Sequence, residues 1–258
     1  MGTIIAVAGK GGTGKTTVAA LLIRYCRDAG MVPVLAVDAD PDANLPEALG
    51  IAATTSISTV GDVCEAFAHS KETLPQGMPK EAFFELSLHQ ALVETENIDL
   101  LVMGRPEGAG CYCYINNVLR KYLDVLPNSY CATVIDNEAG LEHLSRRTTR
   151  NTDNLLIVSD YSLNGLRAAV RIRQLANELR LDIGCVGLVV NKVTGTISDT
   201  FLHEVKKTGV PLCGVIPFDP LLQEQDVHGT PVIALPHNTP SYGAVCKIAR
   251  KLLGDRNV

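Results

Sequence analysis

Several kinds of protein are excluded by what this sequence lacks. No stretch approaches the ~20 consecutive apolar residues of a membrane span. The opening MGTIIAVAGKGGTGK has neither a basic leader nor a cleavage pattern. Gly2 begins as a myristoylation site would, but position 6 is Ala6 rather than Ser or Thr. Positive charge is also scarce: 23 Lys and Arg stand against 28 Asp and Glu, for a formal net charge of −5. A phosphate backbone asks for a basic surface, so nucleic acid is not an expected partner. No linker, repeat or low-complexity tract divides the 258 residues. The expectation is one cytoplasmic domain spanning 1–258, with no membrane partner.

Metal-ligand spacing is nearly absent too. His69, His89, His143, His203, His228 and His237 form no ligand pattern. Eight cysteines in such a chain do not read as a disulfide framework. Cys26, Cys64, Cys131, Cys185, Cys213 and Cys246 each sit alone in an apolar run, where the expectation is a small buried thiol. Cys111 and Cys113 differ: they are paired around Tyr112 within GRPEGAGCYCYINN (104–117), a glycine-rich turn ahead of a helix-like segment.

What is present is a repeated strand–helix pattern. Apolar runs at 3–9, 32–40, 98–104, 132–137, 154–160, 184–192 and 211–217 show no alternation, as parallel strands covered on both faces should not. Helical patterns fall at 15–30, closing on Gly30, and at 59–70, 80–96, 164–181 and 199–208. The sum is a doubly wound α/β fold with a mostly parallel sheet, of the P-loop NTPase kind.

Between the first strand and first helix lies GKGGTGKT (9–16), which fits G-x-x-x-x-G-K-[ST]. Gly9, Gly11, Gly12 and Gly14 allow backbone N–H groups, with that of Thr13, to turn inward around phosphate oxygens. The helix N-terminus adds partial positive charge. Lys15 would reach the β- and γ-phosphates, Thr16 would bind Mg²⁺, and Thr17 would reach the α-phosphate. Lys10, directly after the first glycine, projects away from its own loop toward a second nucleotide.

The stretch KGGTGKT resembles the deviant Walker A signature of MinD-type ATPases, which include dinitrogenase reductase, ArsA-type and partitioning ATPases. That resemblance implies bound ATP or ADP with Mg²⁺, and a homodimer in which Lys10 contacts the partner's phosphates. It makes Lys10, Lys15 and Asp40 catalytic. In DADPD (38–42) Asp40 would orient or deprotonate the attacking water, and Asp38 would support the Mg²⁺ shell. VIDNEAG (134–140) resembles Walker B with switch II, placing Asp136 near Mg²⁺ and Gly140 near the γ-phosphate. VVNK (189–192) resembles the base-recognition segment, with Asn191 and Lys192, and IPFD (216–219) the adenine-flanking loop, with Pro217, Phe218 and Asp219.

Three readings of Cys111 and Cys113 compete. The thiols could be silent, could form a redox pair across one residue at the cost of strain, or could each supply half of a tetrahedral thiolate site that a symmetric dimer completes. Four thiolates suit Zn²⁺ or an iron–sulfur cluster, and also Ni²⁺. The block GRPEGAGCYCYINN, with DNEAGLEHLSRRT (136–148), is similar to the CooC-type maturation ATPases of nickel-containing carbon monoxide dehydrogenase, over essentially the whole chain. This implies Ni²⁺ or Zn²⁺ bound by Cys111 and Cys113 at the dimer interface, and a client that is carbon monoxide dehydrogenase or acetyl-CoA synthase. Alternatives are an iron–sulfur reductase of the dinitrogenase reductase type and a membrane- or nucleoprotein-organising ATPase. The latter wants a basic amphipathic C-terminal helix, whereas 241–258 is short and finishes polar. Arg146, Arg147 and Arg150 form a basic cluster that could meet an acidic client or simply face solvent.

Overall fold

In the computed structural model, residues 2–51, 57–69, 78–104, 121–138 and 151–254 are described. Among these, the strands are β1 (Thr3–Gly9), β2 (Val34–Ala39), β3 (Ile98–Val102), β4 (Ala132–Asn137), β5 (Asn151–Asp160), β6 (Asp182–Val193) and β7 (Leu212–Pro217). The helices are α1 (Lys15–Asp28), α2 (Leu45–Ala48), α3 (Val60–His69), α4 (Lys80–Gln90), α5 (Leu163–Glu178), α6 (Asp199–Lys207), α7 (Pro220–Val227) and α8 (Pro240–Leu253).

All seven strands join one sheet in the order β3-β2-β4-β1-β5-β6-β7, and every neighbouring pair is parallel. The absence of alternation has the expected cause: both faces are buried. Ile5 and Val7 of β1 pack with Ala36, Val134, Leu156 and Val158 beneath α1, α2 and α8. Ala6 and Ala8 face the other way, with Leu35, Val37, Ile135, Leu155 and Ile157, toward α3 to α6. From β1 the chain moves out to β2 and β3, returns to β4 beside β1, then crosses to β5 and beyond. The carboxyl end of β1 is therefore the switch point of the sheet, where α/β proteins place ligands.

Element ends follow local chemistry. Gly30 takes φ +71°, and the Met31 and Gly30 amides return to the carbonyls of Cys26 and Arg27 at 2.9 and 3.0 Å. This Schellman turn stops α1 where the sequence expects it. The expected helix 80–96 stops instead at Gln90, because Val93 exchanges two 2.9 Å hydrogen bonds with Leu100. That antiparallel bridge covers the free edge of β3. The six lone thiols follow expectation only in part: Cys26 is buried, and burial pushes its thiol up to about 12, Cys64, Cys213 and Cys246 are half-buried, and Cys131 and Cys185 are exposed.

No helix among the described residues is long and apolar enough to cross a membrane. The apolar stripe of α8 is already in use, with Tyr242, Val245 and Ile248 in the core. Gly214 of β7 lies so close that a Cβ there would meet Ile248 at 2.4 Å.

Candidate functional site

The loop after β1 turns tightly enough to present its amides. The Thr13 hydroxyl donates to the Lys10 carbonyl at 2.9 Å, and Thr13 N–H reaches the same oxygen at 3.4 Å. Gly12 and Gly14 take φ +79° and +87°, which side-chain-bearing residues rarely adopt. At Gly14 a Cβ would also lie 2.5 Å from the Asn191 amide nitrogen. Lys15, the first residue of α1, is buried at 7% exposure. Lys10, on the loop's outer side, is exposed. The two lysines of the signature thus differ in environment as their expected roles do.

Three carboxylates gather near this loop from the ends of β2 and β4. Asp38 and Asp136 are neighbours across the β2–β4 ladder. Asp136 is 1% exposed, and neither of its oxygens makes a well-formed hydrogen bond. Burial pushes its carboxyl up to about 7; the Thr16 hydroxyl and Lys15 oppose the rise, and the charges of Asp38 and Asp40 add to it. A buried acid with two unmet oxygens beside a threonine hydroxyl fits a hard divalent cation, which prefers oxygen ligands. Asp38 is placed differently. Its oxygens accept the Asp40 amide at 3.0 Å and the Leu45 amide at 2.9 Å, so it shapes the loop that carries Asp40. Burial raises Asp38 to about 6 against those two hydrogen bonds, with the Asp40 charge adding to the rise. Asp40 itself is half-buried, and its Oδ1 accepts the Asp42 amide at 3.0 Å.

On the other side of the loop a cavity of about 930 Å³ is lined by Thr16, Thr17, Asn191, Lys192, Pro217, Phe218 and Asp219, among others. The ends of β6 and β7 and the start of α1 are thereby brought to one concave space. Phe218 is 41% exposed, an uncovered ring at the edge of the cavity. Asp219 caps α7: its Oδ1 accepts the Leu221 amide at 3.1 Å, and its Oδ2 accepts the Ser241 hydroxyl at 2.6 Å. The cavity's far wall, which the sequence reading did not anticipate, includes Asn44, Glu47, Gln223, Asp226 and Thr230. They arrive from α2 and the residue before it and from α7 and the turn after it, and no spacing rule ties them to the phosphate motif.

Cys111, Cys113, Gly140 and the arginines at 146, 147 and 150 lie outside the described residues. Of segment 104–117 only Gly104 is described; it takes φ +66° where a Cβ would meet the Thr59 hydroxyl at 2.4 Å.

A glycine-rich loop between strand and helix, a buried lysine, acids on adjacent strands and a cavity at the switch point define a P-loop nucleotide-binding protein of the doubly wound α/β class. Residues 4–232 match the CobQ/CobB/MinD/ParA nucleotide binding domain, and the chain belongs to that family. Among its relatives, an uncharacterised ATP-binding protein of Methanocaldococcus jannaschii is 44% identical over 98% of this chain and 99% of its own length. The carbon monoxide dehydrogenase accessory protein CooC of Rhodospirillum rubrum is 33% identical over 87% of each chain. Among solved structures, the cell division ATPase MinD of Pyrococcus furiosus superposes with a TM-score of 0.70 at 26% identity, covering 98% of this chain and 99% of that one.

Proposed function

We propose that this protein is an ATPase whose hydrolysis of ATP to ADP and phosphate serves metal delivery to a nickel enzyme, either carbon monoxide dehydrogenase or acetyl-CoA synthase. The observation that carries the reading is the 33% identity with the carbon monoxide dehydrogenase accessory protein over 233 residues, joined to the Cys-Tyr-Cys block of this chain. The 44% identical relative has no activity in its name beyond ATP binding, so the choice of client rests on the more distant one.

Each residue then has a role. The loop amides from Gly11 to Thr17 and the Lys15 ammonium hold the phosphates. Mg²⁺ would be held by the Thr16 hydroxyl and Asp136, where it would neutralise charge on the phosphates. Asp38 holds the Asp40 loop in shape, and Asp40 orients or deprotonates the attacking water. The cavity beside Phe218 and Pro217 takes the adenine. Lys10, exposed on the outer side of the loop, reaches the phosphates of a partner protomer in an ATP-dependent homodimer. Cys111 and Cys113 of two protomers bind the Ni²⁺ or Zn²⁺ cargo as four thiolates. Because ATP and metal both favour the closed dimer, each tightens the binding of the other.

The test is a Ni²⁺ and Zn²⁺ titration of reduced protein, wild type against Cys111→Ala/Cys113→Ala, with molar mass from light scattering with and without ATP. One metal per two chains, tied to a dimer and lost in the double variant, supports the reading. Binding at one metal per monomer, or binding that survives both substitutions, overturns it and leaves an ATP-binding protein with another task. A brown protein with visible absorbance after anaerobic purification would favour the iron–sulfur reductase instead.

A further inference from the structure

The end of β6 contains a break in pairing that none of the roles above uses. The β6–β7 register shifts between Val190 and Val193, and within that bulge Lys192 takes φ +57°, a left-handed conformation that a lysine rarely adopts. The Asn191 side chain fixes the turn, its Oδ1 accepting the Lys192 amide at 2.8 Å. Bulges re-aim side chains, and this one turns two side chains onto the phosphate loop. Asn191 Nδ2 donates to the Thr13 carbonyl at 2.8 Å, and Lys192 Nζ donates to the Gly12 carbonyl at 2.9 Å.

The consequence lies in peptide geometry. A peptide plane that aims its N–H into the phosphate cradle aims its C=O outward, and an outward carbonyl without a partner leaves its plane free to rotate. Four carbonyls of this loop have donors. Lys10 C=O accepts from the Thr13 hydroxyl, Gly12 C=O from Lys192, Thr13 C=O from Asn191, and Gly14 C=O from the Val18 amide at 3.0 Å. Gly12 and Gly14 both lack steric restraint, but the Gly14 carbonyl is held by the first turn of α1, which leaves Gly12, at φ +79°, as the weakest point of the set.

We propose that Lys192 is a positioning residue for the phosphate loop: its ammonium pins the Gly12 carbonyl outward and so fixes the Gly12–Thr13 peptide plane, whose N–H is otherwise held only by a long 3.4 Å bond to the Lys10 carbonyl, independently of any contact with the base. The inference rests on the nucleotide-binding reading of the loop and goes beyond the base-segment role that the resemblance gives Lys192. Backbone strain at a residue persists where the surroundings over-determine it, and here Asn191 and the Gly12 carbonyl do so from both ends of Lys192.

The experiment compares two ligands, Mg²⁺-ATP and Mg²⁺-tripolyphosphate, which has the phosphates and no base. Calorimetric affinities are measured for wild type, Lys192→Met, Lys192→Gly and Lys192→Arg. Lys192→Met keeps the stem and removes the donor; it should weaken both ligands by a similar factor of about ten or more, the loss of one charge-assisted hydrogen bond. Lys192→Gly relieves the left-handed strain while losing the donor. It should melt no lower than wild type and still bind both ligands as weakly as Lys192→Met, which separates positioning from folding. Lys192→Arg should restore part of both affinities. Loss of ATP affinity alone, with tripolyphosphate unchanged, would overturn the inference in favour of a base contact, as would full retention of both. Wild-type protein that binds neither ligand would overturn the nucleotide reading itself.

Discussion

Replacing Asp136 by Asn tests the electrostatics of the site at one buried group. The wild-type carboxyl rises from the ordinary 3.8 to about 7 on folding, so the folded chain holds a proton that the unfolded chain has released across that interval. Stability therefore falls as pH rises through the window from about 4 to 7, the reverse of an ion-paired aspartate. About three units at about 1.4 kcal/mol each put the cost near 4 kcal/mol by pH 8, about half that at pH 5, and almost none below pH 4. Asn has nearly the same shape and no charge. Its own unmet hydrogen bonds weaken the fold equally at every pH, so the informative quantity is a difference. Asp136→Asn should be stabilised relative to wild type by at least about 1 kcal/mol more at pH 8 than at pH 5. The assay is guanidinium unfolding of nucleotide-free, EDTA-treated protein, followed by circular dichroism, since the chain has no tryptophan to report by fluorescence. A stability difference that does not change between the two pH values would refute the argument that burial of this charge dominates. Addition of Mg²⁺-ADP at pH 8 should reverse the order, because the cation compensates the carboxylate and leaves the amide with nothing to offer.

The remaining predictions follow from other contacts. Asp40→Ala should abolish phosphate release while ATP still binds, as read by a phosphate assay beside calorimetry; surviving turnover would remove Asp40 from the chemistry. Lys10→Ala should leave ATP binding to the monomer nearly unchanged and weaken the ATP-dependent rise in molar mass, and an unaltered dimer would exclude the interprotomer role. Gly14→Ala places a Cβ 2.5 Å from Asn191 at φ +87°, and should weaken ATP binding by at least about tenfold through displacement of the loop. Ser241→Ala removes the 2.6 Å hydroxyl contact to buried Asp219, and should lower stability by about 1 to 3 kcal/mol in denaturant unfolding with nucleotide affinity little changed.

Much of the fold could be read in the sequence because its strands are buried on both faces. Runs such as Ile4–Ala8 and Leu155–Val158 carry no polar interruption, and their order with helices between them leaves few topologies. The glycines of the loop could be read because their backbone conformations demand them. The Val93–Leu100 bridge could not: a single pairing at an edge leaves no periodicity, and the helical pattern simply continues past Gln90. The exposure of Cys185 escaped for a related reason. It stands in an apolar run, but β6 starts well before β7, and the flanking Asp182 and Gly184 are also exposed.

The polar residues near the cavity divide into two groups by what their atoms already hold. Asp38, Asn191, Lys192 and Asp219 were each expected to meet ligand, yet each is engaged with its own chain, through amides at Asp40, Leu45 and Leu221 and carbonyls at Gly12 and Thr13. Among the described residues the Lys10 ammonium has no such engagement, and neither Asp136 oxygen has a hydrogen-bond partner. Sequence motifs do not distinguish the groups, because a residue required to shape a loop and one required to touch phosphate are equally constrained in type and spacing. Geometry separates them. In the proposed reading, loop amides and glycine conformations hold the phosphate, one set of side chains sets those amides, and the charges without a partner in the described chain carry the chemistry. Removal of a shaping residue should therefore act on every phosphate ligand alike, whereas removal of an uncommitted charge should act on a single step.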